Sequence, residues 1–457
     1  MIRALTVTLA LIAATPAAAE VEIQELTTPG GIDLWLVEDH SLPFVALEIR
    51  AQGGAALDPE GKRGAANLMT GLLEEGSGDM DAGEFQEARE ALAATFEFGV
   101  YDDTLSISAR MLTENRDEAV ALLHQALTEP RFDEDAVERV RAQVLAGLDA
   151  AQRRPGTLAS RRFFANAFPD APYGSDSDGT VESVSGLTRD DLMQSFQDLL
   201  VTDRAYVGAV GDITPEEAEA LIDELLEGVP ESGPELGGHV DFAAPGGVDL
   251  VDFETPQSIA IFGHQGIGWD DPDYFAAIVL NQILGGDGFD TRLMQELREE
   301  RGLTYGVGTS LYVFDNAEAI VGSFASANAT MGEAVGVVKD VWADLAENGV
   351  TEAELEAAKT YMTGEYPLRF TGNDEIARIM VGMQMLDLPP DYVIERNSYI
   401  EAVTLEDVNR VAARLLQPED LYFVVAGQPE GLEDNVVGPA EAEEDAAEEG
   451  DETAPAE

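Results

Sequence analysis

What most constrains the fold of this 457-residue chain is an ordered series of internal matches. Leu187-Thr188-Arg189-Asp190-Asp191-Leu192 is echoed by Val403-Thr404-Leu405-Glu406-Asp407-Val408. Leu199-Leu200 is echoed by Leu415-Leu416, and Tyr206–Gly211 (YVGAVG) by Tyr422–Gly427 (YFVVAG), all at an offset of 216. Glu118-Ala119-Val120 matches Glu333-Ala334-Val335 at 215, and Asp58-Pro59 matches Asp271-Pro272 at 213. Isolated fragments of this kind recur by chance, but an ordered series at a nearly constant offset marks a duplicated unit of roughly 200 residues.

Inside the unit, strand-like and helix-like runs alternate. Ile32–Val37, Phe44–Ile49 and the period-two run Leu105–Ala109 read as strands. Residues 65–74, 82–93, 116–127 and 134–152 carry helical periodicity. The expected class is α+β: two similar halves, each a mostly antiparallel sheet packed against helices. Residues 227–247 hold three Pro and six Gly among few periodic positions and read as the linker.

The two ends stand apart from this body. Arg3, the apolar stretch Ala4–Ala14 and the small-residue site Ala17-Ala18-Ala19 form the pattern of a secretory signal peptide, too short to span a bilayer. The expectation is export, to a periplasm or beyond, with no membrane span. The expected division is 1–19 signal peptide, 20–226 first half, 227–247 linker, 248–432 second half and 433–457 acidic tail. Residues 439–457 hold nine acids and no base, a composition that cannot bury a core. The net charge is −63, and removing both ends leaves the body at about −55. Nucleic-acid binding rests on phosphate neutralisation by Lys and Arg, so that partner class is excluded. No cysteine is present, and the fold must be held by its core alone.

Gly64-Ala65-Ala66-Asn67-Leu68-Met69-Thr70-Gly71-Leu72-Leu73-Glu74-Glu75-Gly76-Ser77 resembles the metal-binding helix of the insulinase/pitrilysin zinc peptidases. The resemblance extends through Ala171-Pro172-Tyr173-Gly174, Gly179-Thr180, Val210-Gly211-Asp212 and the segment Leu284-Gly285-Gly286 to Arg292–Arg298. That family places two His one helical turn apart around a general-base Glu, as H-x-x-E-H, with a distal carboxylate as third ligand. Here the corresponding positions are Asn67, Thr70 and Gly71, and no acid stands at 146–148, where the distal ligand falls; Asp149 is nearest. The four His (40, 124, 239 and 264) are widely separated and read as unrelated. The expectation is a chain without catalytic or metal residues of its own.

Leu297–Tyr305 resembles the family's substrate-clamping element, in which an Arg and a Tyr seven residues apart reach toward the zinc site. Arg298 and Tyr305 stand at those positions. Local pattern alone offers another reading. Leu303, Tyr305, Val307, Thr309, Leu311 and Val313 alternate as one strand face, so Tyr305 could be core and Arg298 a surface ion-pair partner.

The resemblance implies a clam-like pair of halves around a peptide chamber. It also implies an accessory role beside an active zinc-peptidase subunit of the same family: that partner would supply the zinc, and this chain peptide binding and the Arg298/Tyr305 clamp. The alternative is a silent peptide-binding or scaffold protein of the same fold.

Overall fold

The computed structural model describes residues 22–169 and 171–435. The expected signal peptide and most of the acidic tail lie outside the described residues. In the first half the strands are β1 (Gln24–Thr27), β2 (Asp33–Glu38), β3 (Phe44–Gln52), β4 (Gly76–Ser77), β5 (Met80–Asp81), β6 (Thr95–Val100), β7 (Thr104–Leu112) and β8 (Ala205–Gly211). In the second they are β9 (Gly247–Asp252), β10 (Gln257–Gln265), β11 (Val307–Val313), β12 (Glu318–Ala327) and β13 (Tyr422–Gly427).

The duplication is visible strand for strand. The first sheet runs β1-β2-β8-β3-β7-β6 and the second β11-β12-β10-β13-β9. Read from β2 and β9 respectively, the two orders coincide, with β1 added to the first. Each sheet has one parallel pair, β2 with β8 and β13 with β9, and is otherwise antiparallel. The strongest sequence echo is a helix start. Thr188 and Asp191 form a capping box on helix Arg189–Leu199, as Thr404 and Asp407 do on helix Leu405–Leu415.

Each sheet packs its own helices on one face, and the other face is covered by a helix from the opposite half. Helix Pro155–Ala167 of the first half lies on β10 and β13, burying Ala159, Phe163 and Ala167 with Tyr422, Val424 and Ala426. Helix Asn373–Met385 of the second half lies on β3 and β8, burying Ala377, Met380 and Met383 with Trp35, Val37 and Val210. The close approach requires Gly208, where a Cβ would stand 3.0 Å from the Ala377 carbonyl oxygen. The exchange explains why β13 is buried at every residue. Its odd and even positions face two different cores.

A buried polar knot fastens one exchanged helix. The Asp249 carboxylate accepts from Arg162 Nε (2.7 Å), Asn166 Nδ2 (3.0 Å) and the Tyr422 hydroxyl (2.9 Å). These bonds satisfy a carboxylate that is only 2% exposed. Residues 227–246 form no helix or strand, but they are tied to the seam. Ala243 N–H donates to the Ala167 carbonyl, and the Phe242 ring packs on Phe163 and Phe168. After β13 the chain returns to β9, where Asn435 and Val248 exchange two hydrogen bonds of 3.0 and 2.7 Å. No helix among the described residues is long and apolar enough to cross a membrane.

Two elements differ from the sequence pattern. The helix read over 65–74 is α-helical only over Ala65–Thr70. Beyond it Leu72, Leu73 and Glu75 donate to carbonyls three residues back, a tightening that turns Leu72 and Leu73 into the core. The strand read from Leu303 begins at Val307. Thr304 Oγ1 accepts from Gly306 N–H at 3.2 Å and donates to Gly306 O at 2.8 Å, a local turn that withholds this segment from the ladder.

Candidate functional site

The helix that resembles a metal site is held firmly, but from behind. Asp58 accepts from the backbone N–H groups of Gly64 (2.8 Å) and Ala66 (2.9 Å), capping the helix start. Burial pushes this carboxyl up to about 6, against the pull of those two bonds. Ala65, Ala66, Leu68 and Met69 are buried, leaving Asn67 and Gly71 toward the open side.

The residues there do not fit zinc. Thr70 Oγ1 donates back to the Asn67 carbonyl at 2.9 Å, and its side chain is buried. Gly71 has no donor atom, and a Cβ built on it would stand 3.1 Å from Val140 Cγ1 on helix Glu134–Ala151. Farther along that helix, Asp149 pairs with Arg153 at 2.6 Å on the surface. Zinc needs three or four N, S or O donors converging on one point. Among the described residues no such group of His, Cys, Asp or Glu is found.

The four His serve separate local structures. His40 Nδ1 lies 2.8 Å from Asp212, and His124 Nδ1 lies 3.0 Å from the Leu225 carbonyl. His239 faces Asp241 and Glu318 at 3.4 and 3.7 Å. His264 is buried, donates from Nδ1 to the Gln265 carbonyl (2.8 Å) and accepts from Trp342 Nε1 (2.9 Å). Burial holds its pKa below the usual histidine range, which favours this neutral tautomer.

Arg298 and Tyr305 are brought together. The Arg298 guanidinium sits 4.9 Å from the Tyr305 ring centroid. Arg298 lies in a stretch of π-helix, Met294–Glu299, a geometry that recurs at functional sites. Gly302, at φ 64°, lets the chain leave it: Gly302 N–H reaches back to the Arg298 carbonyl and Leu303 N–H to that of Leu297. Tyr305 follows at 87% exposure, so the core reading of this residue falls. Arg298 also meets Glu299, at a long 3.8 Å, so the surface ion pair is present but weak.

Local pattern missed a third member. The Phe289 ring lies 4.7 Å from the same guanidinium, on the loop that follows Gly285-Gly286-Asp287-Gly288. The available signal was a large apolar residue inside a Gly- and Asp-rich loop.

Between the halves runs a cleft of about 510 Å³, walled by Leu148, Phe164, Tyr173, Tyr312 and Phe314. Arg161 and Asp176 pair at its edge (2.5 Å). Its size and its more apolar than polar wall fall in the range of small-molecule pockets.

Comparison with known proteins agrees with this geometry. Residues 34–180 match the profile of the insulinase family, peptidase family M16, and residues 186–362 match that of the peptidase M16 inactive domain. An uncharacterised zinc protease of Mycobacterium bovis is 30% identical over 88% of this chain and 92% of its own length. The non-peptidase homolog YmxG of Helicobacter pylori is 25% identical over 85% of this chain and 90% of its own. Among solved structures, a peptidase M16 inactive domain from Pseudomonas fluorescens superposes with a TM-score of 0.84 at 28% identity. That match covers 90% of this chain and all of the other. With the duplicated fold, the degenerate metal helix and these relatives in agreement, the chain belongs to peptidase family M16.

Proposed function

We propose that this chain is the accessory subunit of a periplasmic, heterodimeric zinc metallopeptidase. The partner, an active subunit of the same family, supplies the zinc and the general base. This chain contributes peptide binding and the Arg298/Tyr305 clamp. One observation carries the reading. The zinc positions hold no usable donors, while a part-buried Arg298 lies against an exposed Tyr305. A protein serving only as a scaffold has no need of an Arg held against an exposed Tyr; a subunit acting on a shared substrate does. The cleft between the halves supports the peptide-binding part. The similarity to a non-peptidase homolog supports the non-catalytic part.

The test is purification of the native complex from the exported fraction, followed by reconstitution. A co-purifying chain of similar size carrying H-x-x-E-H is expected. Arg298→Ala and Tyr305→Phe should assemble normally with it yet lower peptide turnover. Loss of one charge-stabilising donor typically costs roughly a hundredfold. Full activity of both variants would remove the clamp and leave the silent peptide-binding or scaffold role in its place.

A further inference from the structure

The Arg298 side chain is flanked by two aromatic rings, and only Tyr305 belongs to the element already described. Phe289 is the other. Its ring centroid lies 4.7 Å from the guanidinium carbon, slightly closer than that of Tyr305 at 4.9 Å.

Packing into the fold does not explain Phe289. It is 61% exposed, and it lines an open cavity of about 350 Å³ shared with Ala353, Ala357 and Tyr361 of helix Glu352–Glu365. An exposed phenylalanine on a Gly-rich loop contributes little to a core. Its ring contact among the described residues is the Arg298 cation. A guanidinium within reach of two rings is attracted by both quadrupoles and loses rotamer freedom before a ligand arrives. Among the described residues its ion-pair contact adds little to that restraint. Its acidic contact, Glu299, lies at 3.8 Å and is itself mostly exposed.

We propose that Phe289 is a positioning residue of the clamp: it holds Arg298 against Tyr305, so that the guanidinium is presented in one orientation to a bound peptide. This inference rests on the reading of Arg298 and Tyr305 as a peptide clamp. It adds a residue from a different loop and makes a demand specific to aromatic chemistry.

The experiment uses the full mature chain and, as probe, fluorescein-labelled lysozyme kept unfolded by reduction and carboxamidomethylation, with binding read by anisotropy. Phe289→Leu keeps apolar bulk and removes the π face; Phe289→Trp keeps the π face. Leu should weaken binding about two- to fivefold, as loss of one exposed cation–π contact implies, and Trp should bind like the parent. The Arg298 Nε–H proton resonance reads the stack without any ligand. It should move downfield in Phe289→Leu as one ring current is lost, and it should stay shifted in Phe289→Trp. A Leu variant with parental binding and an unmoved Arg298 resonance overturns the proposal, as does a Trp variant as weak as Leu. Arg298→Ala separates the two levels. If it binds the probe like the parent, the clamp reading itself falls. If it binds weakly while Phe289→Leu binds normally, only the role of Phe289 falls.

Discussion

Replacing Phe163 by alanine tests whether the exchanged helices couple the two halves. The side chain is fully buried. It stacks on Tyr422 at 5.5 Å and meets Phe164 and Phe242 at 5.4 and 5.8 Å. Phe163 belongs to the first half of the sequence, but Tyr422 is on the central strands of the second sheet. Truncating a buried Phe costs about 3–5 kcal/mol, the lost transfer energy plus the cavity left behind. Unfolding entropy near 2.1 cal/mol/K per residue gives about 0.9 kcal/mol/K over the roughly 410 described residues. If the halves melt together, Tm falls by about 3–6 °C. Hydrogen exchange followed by mass spectrometry locates the damage. Protection should fall in helix 155–167 and also in β10 and β13, some 100 residues or more away in sequence. Strand β3, on the other sheet, should keep most of its protection. Loss confined to residues 155–168, with β13 unchanged, would refute the coupling.

Other outcomes follow from the same geometry. The mature chain dialysed against buffer should carry no stoichiometric zinc, because Asn67, Thr70 and Gly71 supply no ligand set; one tightly held zinc per chain by elemental analysis would contradict this. Asp315 lies beside Asp103 at the seam and is pushed up to about 6, first by burial and then by that neighbouring charge. A carboxyl raised in the folded state stabilises below its unfolded pKa, and that contribution is lost as pH rises through about 6. Asp315→Asn should therefore raise Tm at pH 7.5 and leave it nearly unchanged at pH 4; an equal effect at both pH values would exclude this cause. His264, buried and neutral, has the opposite sign. Its folded pKa is depressed, so it costs stability as pH falls below the ordinary histidine range, and His264→Gln should flatten the loss of Tm between pH 7 and 5. A chain ending at Gly438 should melt within a degree of the mature protein, since the removed segment lacks the apolar residues to offset about 1–2 kcal/mol per residue of ordering entropy.

The duplication was legible because its strongest echo is chemically obligatory. A helix start needs its free N–H groups capped, and Thr188/Asp191 and Thr404/Asp407 do that in both halves. The helix exchange was not legible. Residues 155–167 and 373–385 show ordinary one-sided patterns, and nothing local says which sheet receives them. The trace is in β8 and β13, whose residues are mostly apolar or small on both faces because two cores claim each strand. The Arg298/Tyr305 pair was legible as a spacing, but Tyr305 was ambiguous. An alternating pattern continues through it, and only the turn made by Thr304 takes it out of the strand. Phe289 was hidden because a single aromatic in a flexible-looking loop carries no periodicity.

The same anchoring explains how such a chain can lose its metal chemistry without losing its fold. In a small zinc-dependent domain the metal contributes folding energy directly, and removing the ligands removes the structure. Here the corresponding helix is held by other means. Its start is capped by Asp58, its inner face is buried through Ala66, Leu68 and Met69, and the turn after it sends Leu72 and Leu73 into the core. None of these residues is a metal-ligand position. The ligand positions face outward, where Asn67 and Gly71 are tolerated at little cost. The Arg298/Tyr305/Phe289 cluster, by contrast, sets a part-buried Arg298 beside two exposed rings that add little to the core. A cluster that brings together two loops and the helical turn between them, while adding little to the core, is where the function of this chain is to be sought.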